Sequence, residues 1–310
     1  MTMPNFLIIG AQKSGTTSLY EYLKQHPQIY MSPLKEPRFF AFEGKRPDFR
    51  GPGDQALYKD VVTDLADYRA LFQEASKETA IGEASVVYLY LSRTPERIRH
   101  YVPKIKLIAV LRNPVERAYS AFLHLTRDHK EPLKDFARAL QAEDERIQNN
   151  WGPLWHYKQI GFYYAQLKRY YDTFDREQIR VYLHEDLSEN PKKMLKDIHG
   201  FLGVDNTFVP DVSQRHNVSS APANERWYAM YELLQSQNPI KSVVRPLLPR
   251  GLRRRLFTHV YGRISVSPED QAPTKPPLPI EVQQQLTAMY RDDILKLQGL
   301  IGRDLSPWLE

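Results

Sequence analysis

The sequence predicts an α/β fold in which a doubly wound central parallel sheet is flanked by helices. Short apolar runs with the length of strands alternate along the chain with segments of helical periodicity. The best of these runs are continuously apolar, which is typical of parallel strands buried on both faces. Residues able to bind an anion follow directly after two of the runs, at the sheet edge where open α/β sheets bind ligands.

The chain opens with a strand, a loop and a helix. Residues 6–9 are an apolar run that Gly10 ends, and residues 18–26 have helical periodicity until Pro27 stops them. The loop between them contains Lys13, Gly15 and three hydroxyl residues. Glycine lets the backbone approach an anion, helix N-terminal amides point at it, and lysine adds a positive charge. This pattern predicts a P-loop-like phosphate site.

The position of the lysine separates this loop from that of nucleoside triphosphatases. The Walker pattern places lysine directly after its second glycine, whereas Lys13 precedes Gly15 by two residues. From the loop alone, an ordinary strand–turn–helix with a solvated lysine remains the alternative.

The run Lys-Ser-Gly-Thr-Thr also resembles the 5′-phosphosulfate loop of sulfotransferases, which use 3′-phosphoadenosine 5′-phosphosulfate (PAPS) and release 3′-phosphoadenosine 5′-phosphate (PAP). The chain is identified as a member of that superfamily and is similar to its heparan sulfate and bacterial branches. The resemblance implies a set of residues around the 5′ end of PAPS: Gln12, Lys13, Ser14, Gly15, Thr16, Thr17 and Ser18.

Composition narrows the function classes. The 310 residues are 42% hydrophobic, which suffices for a core, and contain no cysteine, which excludes disulfides and thiolate metal sites. The net charge of +6 suits an anionic cofactor or substrate, and no nucleic-acid-binding motif is present. Because the first strand follows Met1 closely and no apolar run approaches a membrane span, we expect a soluble, cytoplasmic protein.

A loop with clustered charges and prolines precedes the aromatic pair Phe39–Phe40. It resembles the Lys-Glu-Pro-x-Phe-Phe segment of the heparan-type enzymes, whose glutamate is the proposed catalytic base. The resemblance implies that Glu36 accepts the acceptor's proton, as a positioned carboxylate can. Without the resemblance, Lys35 and Glu36 would be read as solvated loop charges.

The run Glu83-Ala84-Ser85-x-x-Tyr88 departs from the family pattern. The family usually has Glu-Lys-Ser-x-x-Tyr, with its lysine near the bridge to the sulfonate, and Ala84 replaces that lysine. Lys13 or Lys35 would then stabilise more of the leaving group's charge. The cytosolic enzymes place a catalytic histidine in this region, where this chain has none. Elsewhere, His124 is the rival base to Glu36.

The clearest interior strand, residues 105–111, is followed by Arg112-Asn-Pro-x-x-Arg-x-x-Ser120. Arg112 therefore lies at the carboxyl end of a central strand, and Ser120 lies two turns into the next helix. The run strongly resembles the 3′-phosphate site of sulfotransferases, in which the planar guanidinium would clamp the phosphate. The alternative is an arginine that caps the sheet edge.

The second half of the chain supplies weaker signals. We expect a charged helix over 133–147, and an aromatic loop over 149–157 that either lines an acceptor cleft or simply packs. By resemblance, His184 lies nearest the adenine and Arg215 caps the 3′-phosphate, with a solvated arginine as the alternative. The basic segment 241–263 could contact a membrane, an acidic acceptor or solvent.

We expect one domain over 1–310, with a helical extension over 224–310 on the same core and an ending that resembles bacterial sulfotransferases. The predicted function is metal-free sulfonate transfer from PAPS to a carbohydrate, lipid, polyketide or other small alcohol. The alternative is a kinase-like or noncatalytic P-loop protein. A kinase should show a metal-holding aspartate after a strand and a Walker lysine, whereas Arg112 follows the best strand here.

Overall fold

The computed structural model describes residues 2–213 and 276–310. Five parallel strands form one sheet in the order β2-β3-β1-β4-β5, which confirms the predicted fold class. The strands are Phe6–Gly10 (β1), Ile29–Met31 (β2), Ala80–Ala84 (β3), Lys106–Leu111 (β4) and Ile179–Leu183 (β5).

Helices connect these strands throughout the described part of the chain. They are Thr16–Lys24 (α1), Phe39–Phe42 (α2), Asp54–Leu57 (α3), Leu65–Ala70 (α4), Thr94–Tyr101 (α5), Pro114–Arg127 (α6), Phe136–Gln141 (α7), Glu143–Gln148 (α8), Tyr163–Tyr171 (α9), His184–Glu189 (α10), Pro191–Leu202 (α11) and Ile280–Ile301 (α12). Short 3₁₀ turns cover Pro153–Trp155, Gln159–Gly161, Arg176–Gln178 and Ser306–Leu309.

The chain divides into two compact units. The first, residues 1–126, 130–218 and 278–310, contains the sheet and every site considered below. The second, residues 127–129 and 219–277, lies almost wholly outside the described residues. The predicted extent of one domain over 1–310 stays a prediction.

The sheet is buried on both faces, which explains why its strands are continuously apolar. Along β4, Leu107 and Ala109 belong to one core cluster, whereas Ile108 and Val110 belong to the other. The first cluster packs against α6, α9 and α12, and the second packs against α1 and α11. Burial at roughly 25 cal/mol per Å² on both faces makes these layers the main source of the fold's stability.

The helix predicted over 133–147 is interrupted, and that prediction is corrected here. Asp135 caps a first short helix by accepting from the Arg138 amide at 2.8 Å, and the chain begins a second one after Ala142. The buried Glu143 carboxylate accepts from the amides of Lys158 at 2.5 Å and Gln159 at 2.9 Å. These long-range hydrogen bonds bring Glu143 inward at the break.

Helix α12 is the described part of the predicted C-terminal extension, and it packs on the sheet-bearing unit. Its buried residues are Val282, Leu286, Tyr290, Ile294 and Leu297. The Tyr290 hydroxyl donates to the carbonyl of Lys158 at 2.8 Å. A Cβ on Gly161 would lie 2.5 Å from that hydroxyl, so glycine permits the close approach. None of the helices over 2–213 and 276–310 is both long and apolar enough to cross a bilayer.

Candidate active site

The residues expected to act on a ligand lie at one edge of the sheet, because parallel strands end on the same side. Taken in sheet order, residues 32–36 follow β2, residues 85–88 follow β3, and residues 11–15 follow β1. On the far side of β1, Arg112 follows β4 and His184 follows β5. The expected base therefore lies towards one side of this edge and the expected 3′-phosphate and adenine contacts towards the other. The phosphate loop lies between them.

The phosphate loop is built by local geometry. Lys13 and Gly15 adopt left-handed conformations, with φ of 69° and 87°, and Thr16 begins α1. A Cβ on Gly15 would lie 2.7 Å from Cδ2 of Leu187, so only glycine fits this turn without displacing a core side chain. The turn places the first amides of α1 at the sheet edge, as anion binding requires.

Buried polar atoms in this loop lack partners within the described residues. The Gln12 Oε1 atom and the Ser14 hydroxyl are both inaccessible to solvent and unpaired there. The Ser14 hydroxyl lies beside that of Tyr163, but the two do not have good hydrogen-bond geometry. Burial raises the pKa of Tyr163 to about 12, so it stays a neutral donor. The Ser14 hydroxyl can donate, so it fits a loop that completes its hydrogen bonding on an anionic ligand, whereas Gln12 Oε1 can only accept.

Arg112 joins the two expected halves of the cofactor site. Asn113 accepts from the Val115 amide at 2.9 Å, and Pro114 begins α6 in the helical position that needs no amide. The Arg112 guanidinium bonds Glu116 at 2.7 Å and reaches the Lys13 carbonyl at 3.5 Å. The guanidinium thus lies beside the phosphate loop at the end of β4, and its contact with the 3′-phosphate stays a prediction.

Helix α6 carries two further predicted residues and one that sequence reasoning left without a role. Ser120 is almost fully buried, and His124 lies one turn beyond it, half-buried. The fully buried Arg117 donates to the Tyr157 carbonyl, which ties α6 to the aromatic loop. The motif that contains Arg112 and Ser120 thus also supplies the buried hydrogen bond that holds α6 to the aromatic loop.

His184 lies against the phosphate loop. Its ring carbon Cδ2 would be 3.5 Å from a Cβ built on Gly15. The structure therefore brings His184 to the loop expected to hold the 5′ end, and its predicted place nearest the adenine stays a prediction. Arg215 and the basic segment 241–263 lie outside the described residues.

Glu36 is fixed by backbone and ionic contacts. Its amide donates to the Ala84 carbonyl at 3.0 Å, and its carboxylate accepts from the Val86 amide at 3.2 Å. Lys35 Nζ lies 3.5 Å from one carboxylate oxygen and Arg38 Nε 3.4 Å from the other. The side chain is 16% exposed, so the carboxylate is held in place and still reaches solvent.

The segment after β3 forms a platform for this loop, which sequence reasoning missed. The Ser85 hydroxyl accepts from the Arg38 amide at 3.0 Å, and the Tyr88 hydroxyl accepts from the Phe40 amide at 3.4 Å. The Glu-x-Ser-x-x-Tyr spacing of this run could have indicated that role. The prediction concerned only the lysine that Ala84 replaces. In the structure, Ser85 and Tyr88 of this run hold the Glu36 loop in place.

A buried carboxyl lies beneath the platform. Glu83 is fully buried, and the Tyr68 hydroxyl donates to it at 3.2 Å. Burial raises the pKa of Glu83 to about 8, the nearby Glu36 adds to the rise, and Tyr88, Ser85 and Tyr68 oppose it. Glu83 is therefore mostly protonated at neutral pH, which avoids the cost of an unpaired buried charge.

The aromatic loop packs in the core, and its alternative role in lining an acceptor cleft stays a prediction. Trp155 is fully buried and donates to Asp54 at 3.1 Å, which is packing. Pro153 also lines a pocket of about 10 Å³ with Gln12 and Val86, which is room for no more than one water molecule. The buried His156 belongs to the same loop, where its Nδ1 lies 2.9 Å from the Tyr90 hydroxyl and its Nε2 lies 3.0 Å from the Trp151 carbonyl. Burial lowers the pKa of His156 to about 4.

No group of three or more His, Cys, Asp or Glu side chains able to hold a metal ion occurs over 2–213 and 276–310. The expectation of a metal-free reaction stays a prediction.

The family model described as "Sulfotransferase domain" matches residues 3–251. A bifunctional heparan sulfate N-deacetylase/N-sulfotransferase 4 from Mus musculus is 25% identical over 99% of this chain and 31% of that protein. Carbohydrate sulfotransferase 15 from Homo sapiens is 28% identical over 65% of this chain and 44% of that protein. The chain therefore spans less than half the length of these two curated relatives.

A solved structure agrees with the sequence matches. The crystal structure of a sulfotransferase from Alicyclobacillus acidocaldarius is 35% identical, covers all of both chains and superposes with a TM-score of 0.75. With the family match over most of the chain, this places the chain in the PAPS-dependent sulfotransferase superfamily.

Proposed function

We propose that this enzyme moves a sulfonate group from PAPS to an acceptor hydroxyl, with Glu36 as the general base. Bound PAPS supplies the sulfonate on a phosphate leaving group. The position of Glu36 supports the proposal most, because its carboxylate lies on the platform next to the phosphate loop and is anchored by the Val86 amide at 3.2 Å. A fixed carboxylate can accept the proton that a hydroxyl loses as it attacks.

The phosphate loop from Gln12 to Ser18 would hold the 5′ end of the cofactor, with the Ser14 hydroxyl and the α1 amides as donors. Arg112 and Ser120 would bind the 3′-phosphate, because the guanidinium lies beside the phosphate loop and has N–H donors beyond those that Glu116 accepts. His184 would contact the adenine side of the nucleotide, and Arg215 would cap the 3′-phosphate.

Charge on the departing phosphate needs cations, and this chain lacks the family lysine at Ala84. Lys13 would supply the main one from within the loop. Lys35 lies 3.5 Å from Glu36 and is 28% exposed, so its ammonium is available at the base side of the edge. Fixed cations stabilise developing negative charge without reorganising during the reaction.

For the acceptor, we propose a carbohydrate hydroxyl in preference to a lipid, polyketide or other small alcohol. Two relatives that match most of this chain are named for heparan sulfate and for carbohydrate, which supports a sugar; the first is named an N-sulfotransferase, so its name does not support the hydroxyl. They share only part of their length with this chain, so their full activities are not carried over.

The test compares Glu36→Gln with Glu74→Gln, an exposed control. Each variant is titrated with PAP by calorimetry and assayed with radiolabelled PAPS against panels of sugar and simple alcohols. Glu36→Gln should keep the affinity for PAP and lose about 10²–10⁴ in turnover, the usual contribution of a positioned base. The control should match the wild type.

His124→Ala belongs in the same assay as the rival base. Loss of turnover in that variant, with near-normal turnover in Glu36→Gln, would transfer the role to His124. Absence of sulfonate transfer to every acceptor, together with no affinity for PAP, would overturn the proposed function.

A further inference from the structure

A second, open pocket of about 370 Å³ lies within residues 46–59, outside the cofactor contacts. We propose that this 46–59 pocket binds the acceptor through an anionic group, such as a carboxylate, carried near the reacting hydroxyl. The inference rests on the proposed sulfonate transfer and names the class of acceptor: a ring compound with both a hydroxyl and a negative charge.

The floor of the pocket is rigid. The Asp54 carboxylate is almost fully buried and accepts from the amides of Gly51 at 2.8 Å and Gly152 at 2.7 Å, and from the Trp155 indole at 3.1 Å. A Cβ on Gly51 would lie 2.5 Å from Asp54 Oδ2, so the turn needs glycine there. This network joins the 46–59 segment to the aromatic loop, which limits the entropy lost when a ligand binds.

The rim of the pocket is cationic. Arg46, Arg50 and Lys59 are all exposed and line it. The Arg46 guanidinium donates to the Lys59 carbonyl at 3.1 Å, which fixes its direction and leaves other donors for a ligand. Asp54 is turned to its own donors, and Asp48 is the other lining carboxylate. Lys59 lies 4.0 Å from the Asp60 carboxylate, so Arg46 and Arg50 are the cations that outnumber the one remaining lining carboxylate, which favours an anion.

Aromatic rings form one wall. Phe49 and Tyr58 lie with ring centroids 4.9 Å apart, and Tyr58 is buried while Phe49 is half-buried. Burial raises the pKa of Tyr58 far above its ordinary value, so the phenol stays neutral. An apolar wall beside guanidinium groups suits a ligand that combines C–H faces with an anionic group better than it suits a bare inorganic ion.

One arginine connects this wall to the proposed base. The Arg38 guanidinium carbon lies 4.6 Å from the Tyr58 ring centroid, and its Nη1 donates to the Leu57 carbonyl at 2.7 Å. Its Nε lies 3.4 Å from Glu36 Oε2. A ligand held in the 46–59 pocket would thus be anchored to the same framework as the carboxylate that accepts its proton, which is what orientation of a hydroxyl requires.

The experiment uses a matched pair of ligands: a hyaluronan tetrasaccharide and the same compound with its carboxylates reduced to alcohols. Each is titrated by calorimetry into the full chain saturated with PAP. The variants are Arg46→Ala/Arg50→Ala and, as a control, Lys45→Ala, which removes an exposed cation that does not line the pocket. The wild type and the control should bind the acidic compound at least about tenfold more tightly than the reduced one, and the double variant should lose this preference.

Equal binding of both compounds by the wild type would overturn the inference. So would equal losses in the Lys45 control and the double variant, because that result indicates diffuse charge attraction. PAP affinity is measured in the same preparations. If the wild type binds PAP but does not prefer the acidic compound, only the proposal for the 46–59 pocket is contradicted. If the wild type does not bind PAP, the proposed function is contradicted.

Discussion

The phosphate loop and the Glu36 loop lie at the same edge of the sheet but are held in different ways. The phosphate loop is positioned by its immediate neighbours, since β1 ends at Gly10 and α1 begins at Thr16. The Glu36 loop follows a strand of only three residues and depends on hydrogen bonds to a segment about 50 residues away. The cofactor side should therefore tolerate distant changes, whereas the base should be sensitive to its platform.

The largest effects on cofactor affinity should come from single charges on the cofactor side. Lys13→Ala and Arg112→Ala should each weaken PAP binding by about tenfold to 150-fold, since a lost charge-assisted contact is worth roughly 1.5–3 kcal/mol. Calorimetry on both variants measures this. Lys24→Ala, at the far end of α1, is the matched control and should bind as the wild type does. Wild-type affinity in either test variant would remove that residue from the site.

A more selective measurement separates the two ends of the cofactor. The wild type should prefer PAP over AMP, which lacks the 3′-phosphate, by about tenfold or more for a charge-assisted contact. Arg112→Ala should lose most of this preference, whereas Lys13→Ala should keep it while binding both nucleotides more weakly. Equal wild-type affinity for the two nucleotides would contradict the assignment of Arg112 and Ser120.

The same contrast explains what the sequence could predict. The strand β4, the turn at Gly15 and the start of α6 at Pro114 are encoded within a few residues, and the structure has them where expected. The break between α7 and α8 and the support of Glu36 by Ser85 and Tyr88 depend on hydrogen bonds across 15 to 50 residues. Such long-range contacts produce no periodic pattern in the sequence, so they could not be predicted from a single sequence.

A smaller effect should appear when the platform is weakened while Glu36 is left intact. Ser85→Ala and Tyr88→Phe each remove the acceptor for an amide of the Glu36 loop. Because a neutral hydrogen bond contributes about 0.5–1.5 kcal/mol, we expect turnover to fall by roughly twofold to tenfold with unchanged PAP affinity. Tyr30→Phe, which removes a hydroxyl bonded to the Leu71 carbonyl at 3.0 Å elsewhere on β2, is the control. Weaker PAP binding with normal turnover would show that the platform serves the cofactor instead.

The smallest effect on the site, and the one that tests the interior beneath it, concerns Glu83. Burial raises its folded pKa to about 8 from an ordinary value near 4.5, so the folded chain holds a proton that the unfolded chain releases between these values. The resulting contribution to stability is full below the ordinary pKa and is lost as the pH rises through the folded pKa, by at most about 1.4 kcal/mol per pH unit.

Urea unfolding at pH 6.5, 7.2 and 8.0 isolates this contribution. Buried His156 and His199 have a folded pKa of about 4 and an ordinary value of 6.5, so they also affect stability near pH 6.5, but equally in the wild type and in Glu83→Gln. Asp293, with a pKa of about 6, changes protonation mainly at lower pH. Glu83→Gln keeps the size and the hydrogen-bonding capacity of a neutral carboxyl but cannot ionise, so its stability should fall less over this range than that of the wild type. Glu74→Gln, an exposed control, should follow the wild-type slope. Parallel slopes in Glu83→Gln and wild type would mean that Glu83 is ionised in the fold, and the platform would then rest on a buried charge instead of a neutral acid.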